Sequence, residues 1–408
     1  MNKDIVIFGD NKKICLELKS ILHKKHLRID QPVIAGRHLE SEILKLVESA
    51  KGKQIILVFK NEDLKNITKI FNKNGVNDIC VCPWDTHYIG KDNIVSDSCI
   101  LPIDNSKPRL NHVEIELSES CNLNCKGCFQ YSNLTEGKSF PDIHVFRNNL
   151  EKLKEFFWGI GKIRLQGGEP LLNPDFLIFV KTAREIFPDS DLRLVSNGLL
   201  IPALNKSQLS VIKQNNCTFD ISNYPPTQEK IKSIKKHLDE AGVSYTVSLP
   251  INIFFKSLRS KPVQSPDISF NNCIFTHCHA LANGHLAACS HQFYVNRLNT
   301  AFDLKYPAEE PDEVVDIYHT PLNGWEINEI FDKPRDFCRY CSAGMVPFKW
   351  EPCPKNKAKS NDWIVKHTLF NTKIIPIMQK SSKNFINKLR HFKQKPKRTR
   401  LKKHFGKR

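Results

Sequence analysis

Three cysteines within eight residues constrain this chain more than any other feature of its sequence. They form a C-x3-C-x2-C run, Cys121, Cys125 and Cys128, directly after residues 113–117, in which apolar and polar side chains alternate. Such alternation predicts a β-strand with one buried face. Three thiolates bind only three irons of a 4Fe–4S cluster, so a fourth iron stays open for chemistry. A structural zinc site is the alternative, but it usually combines C-x2-C pairs into four ligands.

Strand and helix patterns repeat after the cysteines. Strand-like segments at residues 162–166, 192–195, 218–221 and 245–249 alternate with amphipathic helical segments. A helix is predicted to begin at residues 173–175, with Asn173 as its N-cap. Five strand–helix units fit a partial (β/α) barrel, because a complete eight-unit barrel needs about 250 residues. The cysteine loop follows the first strand, at the strand end where barrel enzymes place their catalytic residues.

Two further motifs lie at the ends of the second and third predicted strands. They are Gly167-Gly168-Glu169-Pro170 and Ser196-Asn197-Gly198. Glycines allow close approach of the backbone to a ligand, and a carboxylate accepts hydrogen bonds from an ammonium group. Either motif alone could be an ordinary turn.

The cysteine run and the Gly-Gly-Glu-Pro motif together resemble the radical S-adenosylmethionine (radical SAM) superfamily, whose hallmark is C-x3-C-x2-C. Gly127 stands where that family often has an aromatic residue, and Phe129 follows the third cysteine. The resemblance implies that the 167–170 strand end binds the amino group of the methionine part of SAM. It also implies that Ser196 and Asn197 face the ribose or carboxylate of SAM.

The resemblance further implies a reaction. A reduced 4Fe–4S cluster cleaves SAM into methionine and a 5′-deoxyadenosyl radical, which abstracts a hydrogen atom from a substrate. The cofactors supply this chemistry, whereas the protein orients the substrate and excludes competing reactions. An electron donor such as flavodoxin or ferredoxin is therefore expected as a partner.

A second group of cysteines lies in the last third of the chain. A C-x10-G-x4-C pattern begins at Cys273 and ends at Cys289, and Cys338 and Cys341 form a C-x2-C pair. This pattern resembles the SPASM or twitch module and implies four ligands on an auxiliary 4Fe–4S cluster. A four-cysteine zinc site is the alternative. Two more cysteines are alternate ligands: Cys278 and Cys353.

The use of cysteine and the amino-terminal residues indicate the cellular compartment of the protein. Disulfides are rare in the cytosol, where clustered cysteines indicate metal binding. The chain starts without the apolar stretch of a secretory signal, so we expect a cytoplasmic protein. Five cysteines in apolar segments are interpreted as buried hydrophobic residues: Cys15, Cys80, Cys82, Cys99 and Cys217.

The sequence predicts four parts. Residues 1–105 alternate strand and helix patterns and predict a small Rossmann-like α/β domain, although the turn after the first strand lacks G-x-G-x-x-G. Residues 110–260 are the predicted partial barrel. Residues 261–358 are an irregular, cysteine-rich cluster-binding region. Residues 359–408 are a basic tail.

The basic tail accounts for most of the net charge of +18. From Trp363 to the end there are 15 lysines and arginines and no acidic residue. An amphipathic basic helix can lie on an anionic membrane surface, so the tail predicts either peripheral contact with the inner membrane surface or a solvated segment. Nucleic-acid binding is disfavoured, because few aromatic residues are interleaved with the charges.

The substrate is less constrained than the cofactors. The Rossmann-like domain and the tail favour a sugar- or glycan-related substrate, by analogy only. Modification of a peptide or protein is the second interpretation. A third, from another class, is a zinc-stabilised nucleic-acid-binding protein. Metal analysis would distinguish the two enzyme interpretations from the zinc-stabilised nucleic-acid-binding protein, because only the zinc protein would lack iron.

Overall fold

An α/β fold with two large sheets and two small two-stranded sheets, which pair Ile253–Phe255 with Pro347–Lys349 and Leu258–Arg259 with Ile364–Val365, is seen in the computed structural model. The structure describes residues 4–23, 29–30, 32–34, 39–50, 53–59, 61–76, 78–82, 101–102, 104, 106–137, 139–273, 278–310, 313–342 and 346–365. Cys99 and the basic tail from residue 366 onward lie outside these ranges, so the predictions made for them are not tested.

The amino-terminal sheet has five strands in the order β2-β1-β3-β4-β5. Strands β2, β1, β3 and β4 are parallel, and β5 runs antiparallel to β4. This order is of the doubly wound type, in agreement with the predicted Rossmann-like layer. Its elements are β1 (Ile5–Gly9), α1 (Lys12–His23), β2 (Val33–Ile34), α2 (Leu39–Ala50), β3 (Gln54–Val58), α3 (Asn61–Lys73), β4 (Ile79–Val81) and β5 (Leu101–Pro102).

Both faces of this sheet are buried. Along β1, Ile5 and Ile7 pack against α1, whereas Val6 and Phe8 pack against α2 and α3. This arrangement explains the nearly continuous apolar strands, since a parallel sheet is covered on both sides. Three of the cysteines interpreted as hydrophobic residues are buried here, and a fourth is buried in the barrel: Cys15, Cys80, Cys82 and Cys217.

The second sheet contains the partial barrel. Five parallel strands occur in the order β10-β9-β8-β7-β6, with helices packed on one face. The strands and helices are β6 (Arg109–Ser118), α4 (Ile143–Phe156), β7 (Gly159–Gly167), α5 (Phe176–Ile186), β8 (Asp191–Ser196), α6 (Lys206–Gln214), β9 (Thr218–Ile221), α7 (Pro225–Ala241) and β10 (Tyr245–Val247). The predicted partial barrel is therefore confirmed, and no closed barrel forms among the described residues.

Several helix ends follow local capping rules. Gly242 ends α7 in the left-handed conformation, with φ at 66°. Regular helix α5 begins at Phe176, directly after the predicted start at residues 173–175. Asn173 Oδ1 accepts a hydrogen bond from the backbone N–H of Asp175 at 2.9 Å, as an N-cap side chain does. Its Nδ2 donates to the backbone oxygen of Leu117, a contact that was not predicted.

The region after the barrel is more regular than predicted. Its elements are β11 (Ile253–Phe255), β12 (Leu258–Arg259), α8 (Pro266–Asn271), β13 (His279–Ala282), β14 (His285–Ala287), α9 (His291–Phe302), β15 (Val314–Asp316), α10 (Gly324–Phe331), β16 (Pro347–Lys349) and β17 (Ile364–Val365). Strand β13 pairs in parallel with β6, and β14 and β15 continue the same sheet. The sheet thus crosses the boundary predicted at residue 260.

No described helix has the length and apolar character needed to cross a membrane.

Candidate active site

The cysteine loop leaves the carboxyl end of β6 and is held from several sides. Cys125 is buried, in a cluster with Leu123, Phe254 and Trp350, and Cys121 and Cys128 pack against that cluster. Burial raises the pKa of the Cys121 thiol to about 12 and that of Cys125 further still. Because iron binds thiolates, cluster assembly here must release these protons.

The Gly-Gly-Glu-Pro strand end packs directly on the cysteine loop. The backbone N–H of Gly168 donates to Ser118 O at 2.7 Å, and that of Glu169 donates to Ser120 O at 2.9 Å. A Cβ atom on Gly168 would lie 2.2 Å from Ser120 O. The sequence predicted close approach of the backbone to a ligand. In the structure, the close approach is made to the loop that carries Cys121.

Glu169 connects the two strand-end motifs. Its carboxyl group accepts hydrogen bonds from Ser196 Oγ and from the backbone N–H of Asn197, both at 2.8 Å. Burial raises the pKa of Glu169 to about 7. Asn197 Nδ2 in turn donates to Asn122 Oδ1 in the cysteine loop at 2.6 Å. The carboxyl group, predicted to accept from an ammonium group, is thus fully buried and holds the 196–197 turn.

A segment near residue 350 covers the cysteine loop, and sequence analysis missed it. Trp350 Nε1 donates to Cys125 Sγ at 3.1 Å, across 225 residues of chain. The backbone N–H of Lys126 donates to Glu351 O at 2.9 Å, and that of Cys353 donates to Asn124 O at 2.6 Å. No local pattern indicates such a contact, although a Trp-x2-Cys pair in a cysteine-rich region was a signal.

The same segment fills the space beside Gly127. The φ angle of Gly127 is +63°, and a Cβ atom there would lie 2.6 Å from Cζ of Phe348. Tyr224 stacks on Trp350 at 6.0 Å between ring centroids. The aromatic surface near the loop therefore comes from β16 with the residue after it and from the N-cap of α7, instead of from residue 127.

Four distant cysteines line one small cavity. They are Cys273, Cys289, Cys338 and Cys341. Arg335 lines the same cavity, with its guanidinium 5.6 Å from the centre of the Phe270 ring. A buried positive charge offsets part of the negative charge of four thiolates. The two alternate ligands lie elsewhere: Cys278 beside Glu114, and Cys353 with its sulfur 3.9 Å from Asp362 Oδ2.

The two sets of predicted cluster cysteines differ from the one close group of mixed ligands in the structure. Among the residues that the structure describes, only one group of three potential ligands has its donor atoms within 4.8 Å of one another, and it contains neither set of predicted cluster cysteines. Ligands of one zinc ion must converge on a single centre, whereas cluster thiolates bind different irons. Three thiols in the cysteine loop and four lining the cavity are donors of the type and number that 4Fe–4S clusters use.

Tyr131 and His291 link the two sets of cysteines. The backbone N–H of Tyr131 donates to Cys128 O at 3.0 Å, and its hydroxyl group lies 3.0 Å from His291 Nδ1. His291 also lines the four-cysteine cavity. Burial lowers the pKa of His291 to about 4, so it is neutral at pH 7. This contact was not predicted.

The face of the barrel sheet opposite the helices carries hydrogen-bonded charged side chains. Glu114 accepts from Arg164 Nη1 at 2.8 Å and from Gln166 Nε2 at 2.7 Å. Arg164 Nη2 reaches Asp220 Oδ2 at 3.4 Å. Glu114 and Arg164 are paired in register between β6 and β7. We call Glu114, Arg164, Gln166 and Asp220 the polar face.

The class of protein follows from the strands and loop just described. Residues 115–246, from β6 into β10, match the radical SAM superfamily. The chain therefore carries a radical SAM domain. Proteins of this family use a 4Fe–4S cluster and SAM.

Several curated proteins are similar to parts of the chain, and those that follow are GTP 3′,8-cyclases. The protein from Campylobacter jejuni subsp. doylei is 26% identical over 175 residues, which are 41% of this chain and 52% of that protein. The protein from Nautilia profundicola is 35% identical over 101 residues, 24% and 30% of the two chains. The protein from Aliarcobacter butzleri is 24% identical over 269 residues, 59% and 78%. The chain thus spans about half the length of the first of these relatives.

Solved structures similar to this chain include BtrN in complex with AdoMet and 2-DOIA. That similarity has a TM-score of 0.38 and 15% identity, and covers 59% of this chain and 96% of that one. Another is native anSMEcpe with bound AdoMet, with a TM-score of 0.28 and 19% identity over 34% of this chain and 43% of that one.

Proposed function

We propose that this chain is a radical SAM enzyme whose SAM-binding 4Fe–4S cluster is held by Cys121, Cys125 and Cys128. The observation that carries the proposal is the contact between the three motifs. The 167–170 strand end packs on the cysteine loop, and Glu169 ties that strand end to Asn197. When bound, the cluster and SAM would supply a 5′-deoxyadenosyl radical that abstracts hydrogen from a substrate.

The residues around the loop have distinct tasks in this proposal. Cys121, Cys125 and Cys128 leave one iron open for SAM. Ser196, Asn197 and the 167–170 strand end would bind the polar parts of SAM. Apolar and aromatic side chains around Cys125 exclude water, which protects a radical from side reactions.

The experiment is SAM cleavage by anaerobically purified protein. We expect about eight irons per chain, absorbance near 400 nm, and 5′-deoxyadenosine after addition of SAM and dithionite. Cys125→Ala should abolish the product, whereas Cys217→Ala, which changes a buried cysteine far from the loop, should not. Product formation by Cys125→Ala, or zinc in place of iron, would contradict the proposal.

We also propose that Cys273, Cys289, Cys338 and Cys341 hold an auxiliary 4Fe–4S cluster. The shared cavity and the neighbouring Arg335 support this assignment. Cys338→Ala should lower the iron content by about four per chain, the size of one cluster. The three-cysteine cluster and its electron paramagnetic resonance (EPR) signal should remain. Unchanged iron in this variant would argue against an auxiliary cluster at this position.

For the substrate, we propose a small polar molecule related to a sugar. The polar face supports this choice, because its paired charges offer many hydrogen bonds with little net charge. A purine nucleotide is the second candidate, since the curated relatives are named GTP 3′,8-cyclases. Formation of 5′-deoxyadenosine should rise above its substrate-free rate with amino sugars or nucleotide sugars. A rise with GTP alone, or with a peptide alone, would contradict the sugar assignment.

Two partners complete the proposal. Flavodoxin or ferredoxin should replace dithionite as the electron donor in the cleavage assay. The basic tail, residues 359–408, should bring the protein to anionic vesicles at low salt, and a chain shortened after residue 365 should stay unbound. Equal binding of the full and shortened chains would remove the case for membrane contact.

A further inference from the structure

Three different metal-ligating side chains meet on the barrel sheet, away from both sets of cluster cysteines. His112 and Glu114 are two residues apart on β6 and therefore point to the same face of the sheet. Cys278 immediately precedes β13, which pairs with β6 so that His279 lies opposite Val113. The register thus brings Cys278 beside His112.

The geometry of this group resembles a chelate. One ligand atom of each of His112, Glu114 and Cys278 lies within 4.8 Å of those of the other two. His112 Nε2 is 3.7 Å from Glu114 Oε1, and the two side chains are only 15% and 7% exposed. Nitrogen, oxygen and sulfur together favour a borderline-soft ion of the zinc class over magnesium or calcium, which prefer oxygen.

The surroundings of Glu114 support a bound ion. Hydrogen bonds from Arg164 and Gln166 fix the orientation of the carboxylate, as outer partners commonly do for metal ligands. Ionised Glu114 and a Cys278 thiolate would together balance a divalent charge. Asp220, 3.4 Å from Arg164, offsets the nearby guanidinium.

We propose that His112, Glu114 and Cys278 bind one divalent ion of the zinc class on the face of the barrel sheet opposite the helices. Three protein ligands leave a fourth position open, which is typical of ions that bind a substrate or water. That position adjoins the polar face, so the ion would hold an oxygen or nitrogen atom of the substrate. The contact between the ion and the substrate rests on the proposed function, whereas binding of the ion itself does not.

The test is zinc binding to the cluster-loaded protein. Protein with both iron sites filled is equilibrated with Zn2+ under anaerobic conditions, freed of excess zinc, and analysed for zinc and iron. We expect one zinc per chain in addition to the iron. X-ray absorption at the zinc edge should show one sulfur ligand at about 2.3 Å and nitrogen or oxygen ligands near 2.0 Å. Zinc misplaced in a cluster site would show three or four sulfur ligands instead of one.

Single-residue variants distinguish specific zinc binding at this site from nonspecific zinc binding elsewhere. Cys278→Ala and His112→Gln should each weaken zinc binding by at least tenfold while the iron content stays unchanged. Cys217→Ala is the matched control, because Cys217 is buried on the helix side of the same sheet. Full zinc binding in both site variants, or no zinc in the iron-loaded wild type, would overturn the proposal. Neither outcome depends on SAM cleavage, so failure of the proposed function would be recognised separately.

Discussion

One indole N–H group reaches a cysteine of the first motif from the far end of the described chain. Trp350 Nε1 donates to Cys125 Sγ at 3.1 Å. Hydrogen bonds to cluster sulfurs stabilise the more negative, reduced state and raise the reduction potential. A bond of about 1 kcal/mol corresponds to roughly 40 mV for one electron.

Trp350→Phe should therefore lower the potential of the cluster that we propose at Cys121, Cys125 and Cys128 by roughly 40 mV. The change keeps an aromatic ring and removes only the donor. A redox titration followed by EPR would measure the shift. Trp325→Phe is the matched control, because its indole N–H donates to Ser106 O, away from the cysteine loop. An unchanged potential in Trp350→Phe would mean that the bond has no electronic effect.

The buried carboxyl group of Glu169 leads to a second prediction about a single residue. Burial raises its pKa from 4.5 to about 7. Between these values the folded protein holds a proton that the unfolded chain has lost, so stability falls as pH rises and levels off above about 7. The raised pKa corresponds to a few kcal/mol across that range.

Glu169→Gln should remove this dependence. Thermal unfolding midpoints of wild type and variant should diverge between pH 4.5 and about 7, with the variant gaining relative to wild type as pH rises. Glu185→Gln is the control, since Glu185 lies on the surface and pairs with Arg147. Parallel curves for wild type and Glu169→Gln would show that the carboxyl group has an ordinary pKa.

At the scale of the elements, β7 and the cysteine loop are packed backbone against backbone at their junction. Gly168→Ala would place a methyl group 2.2 Å from Ser120 O, so backbone must move on one side. We expect a loss of about 1–3 kcal/mol in stability and reduced iron loading. Gly75→Ala is the comparison, because a Cβ atom there would have no neighbouring atom within 4 Å, and its cost would come from the φ of +77° alone, far from the cysteine loop. Similar iron contents in the two variants would contradict the close-packing argument.

The sequence predicts elements better than it predicts how distant elements meet. Alternating residues identified β6, and the cysteine spacing identified a candidate cluster loop, because both signals are local. The pairing of β13 with β6 and the contact of Trp350 with Cys125 depend on chain closure over long separations. The bond from the Asp175 N–H to Asn173 Oδ1 is local and was predictable, whereas the bond from Asn173 to the distant Leu117 was not.

At the scale of the whole molecule, a buried charge lies where the two sheets adjoin. Arg109, fully buried at the start of β6, donates to Asp189 Oδ2 at 3.0 Å. Its guanidinium lies 4.5 Å from the centre of the Trp158 ring, and Trp158 packs against the amino-terminal core. The pair therefore helps to hold the amino-terminal domain against the barrel.

Asp189→Ala should cost about 3–5 kcal/mol of stability, because it removes the carboxylate from a buried guanidinium. Differential scanning calorimetry would measure the fall. Glu185→Ala breaks the exposed pair with Arg147 and should cost less than about 1 kcal/mol. Equal losses in the two variants would show that burial of Arg109 has little energetic weight.

The position of β6 between β7 and β13 has a consequence for synthesis on the ribosome. While the nascent chain is short of residue 282, one edge of β6 has no neighbouring strand, and the loop after it lacks the cover that Trp350 provides. Iron delivered at that stage would meet a cysteine loop that is incompletely packed and open to solvent. Insertion of iron should therefore follow release of a nearly complete polypeptide, and prematurely terminated chains should emerge without it.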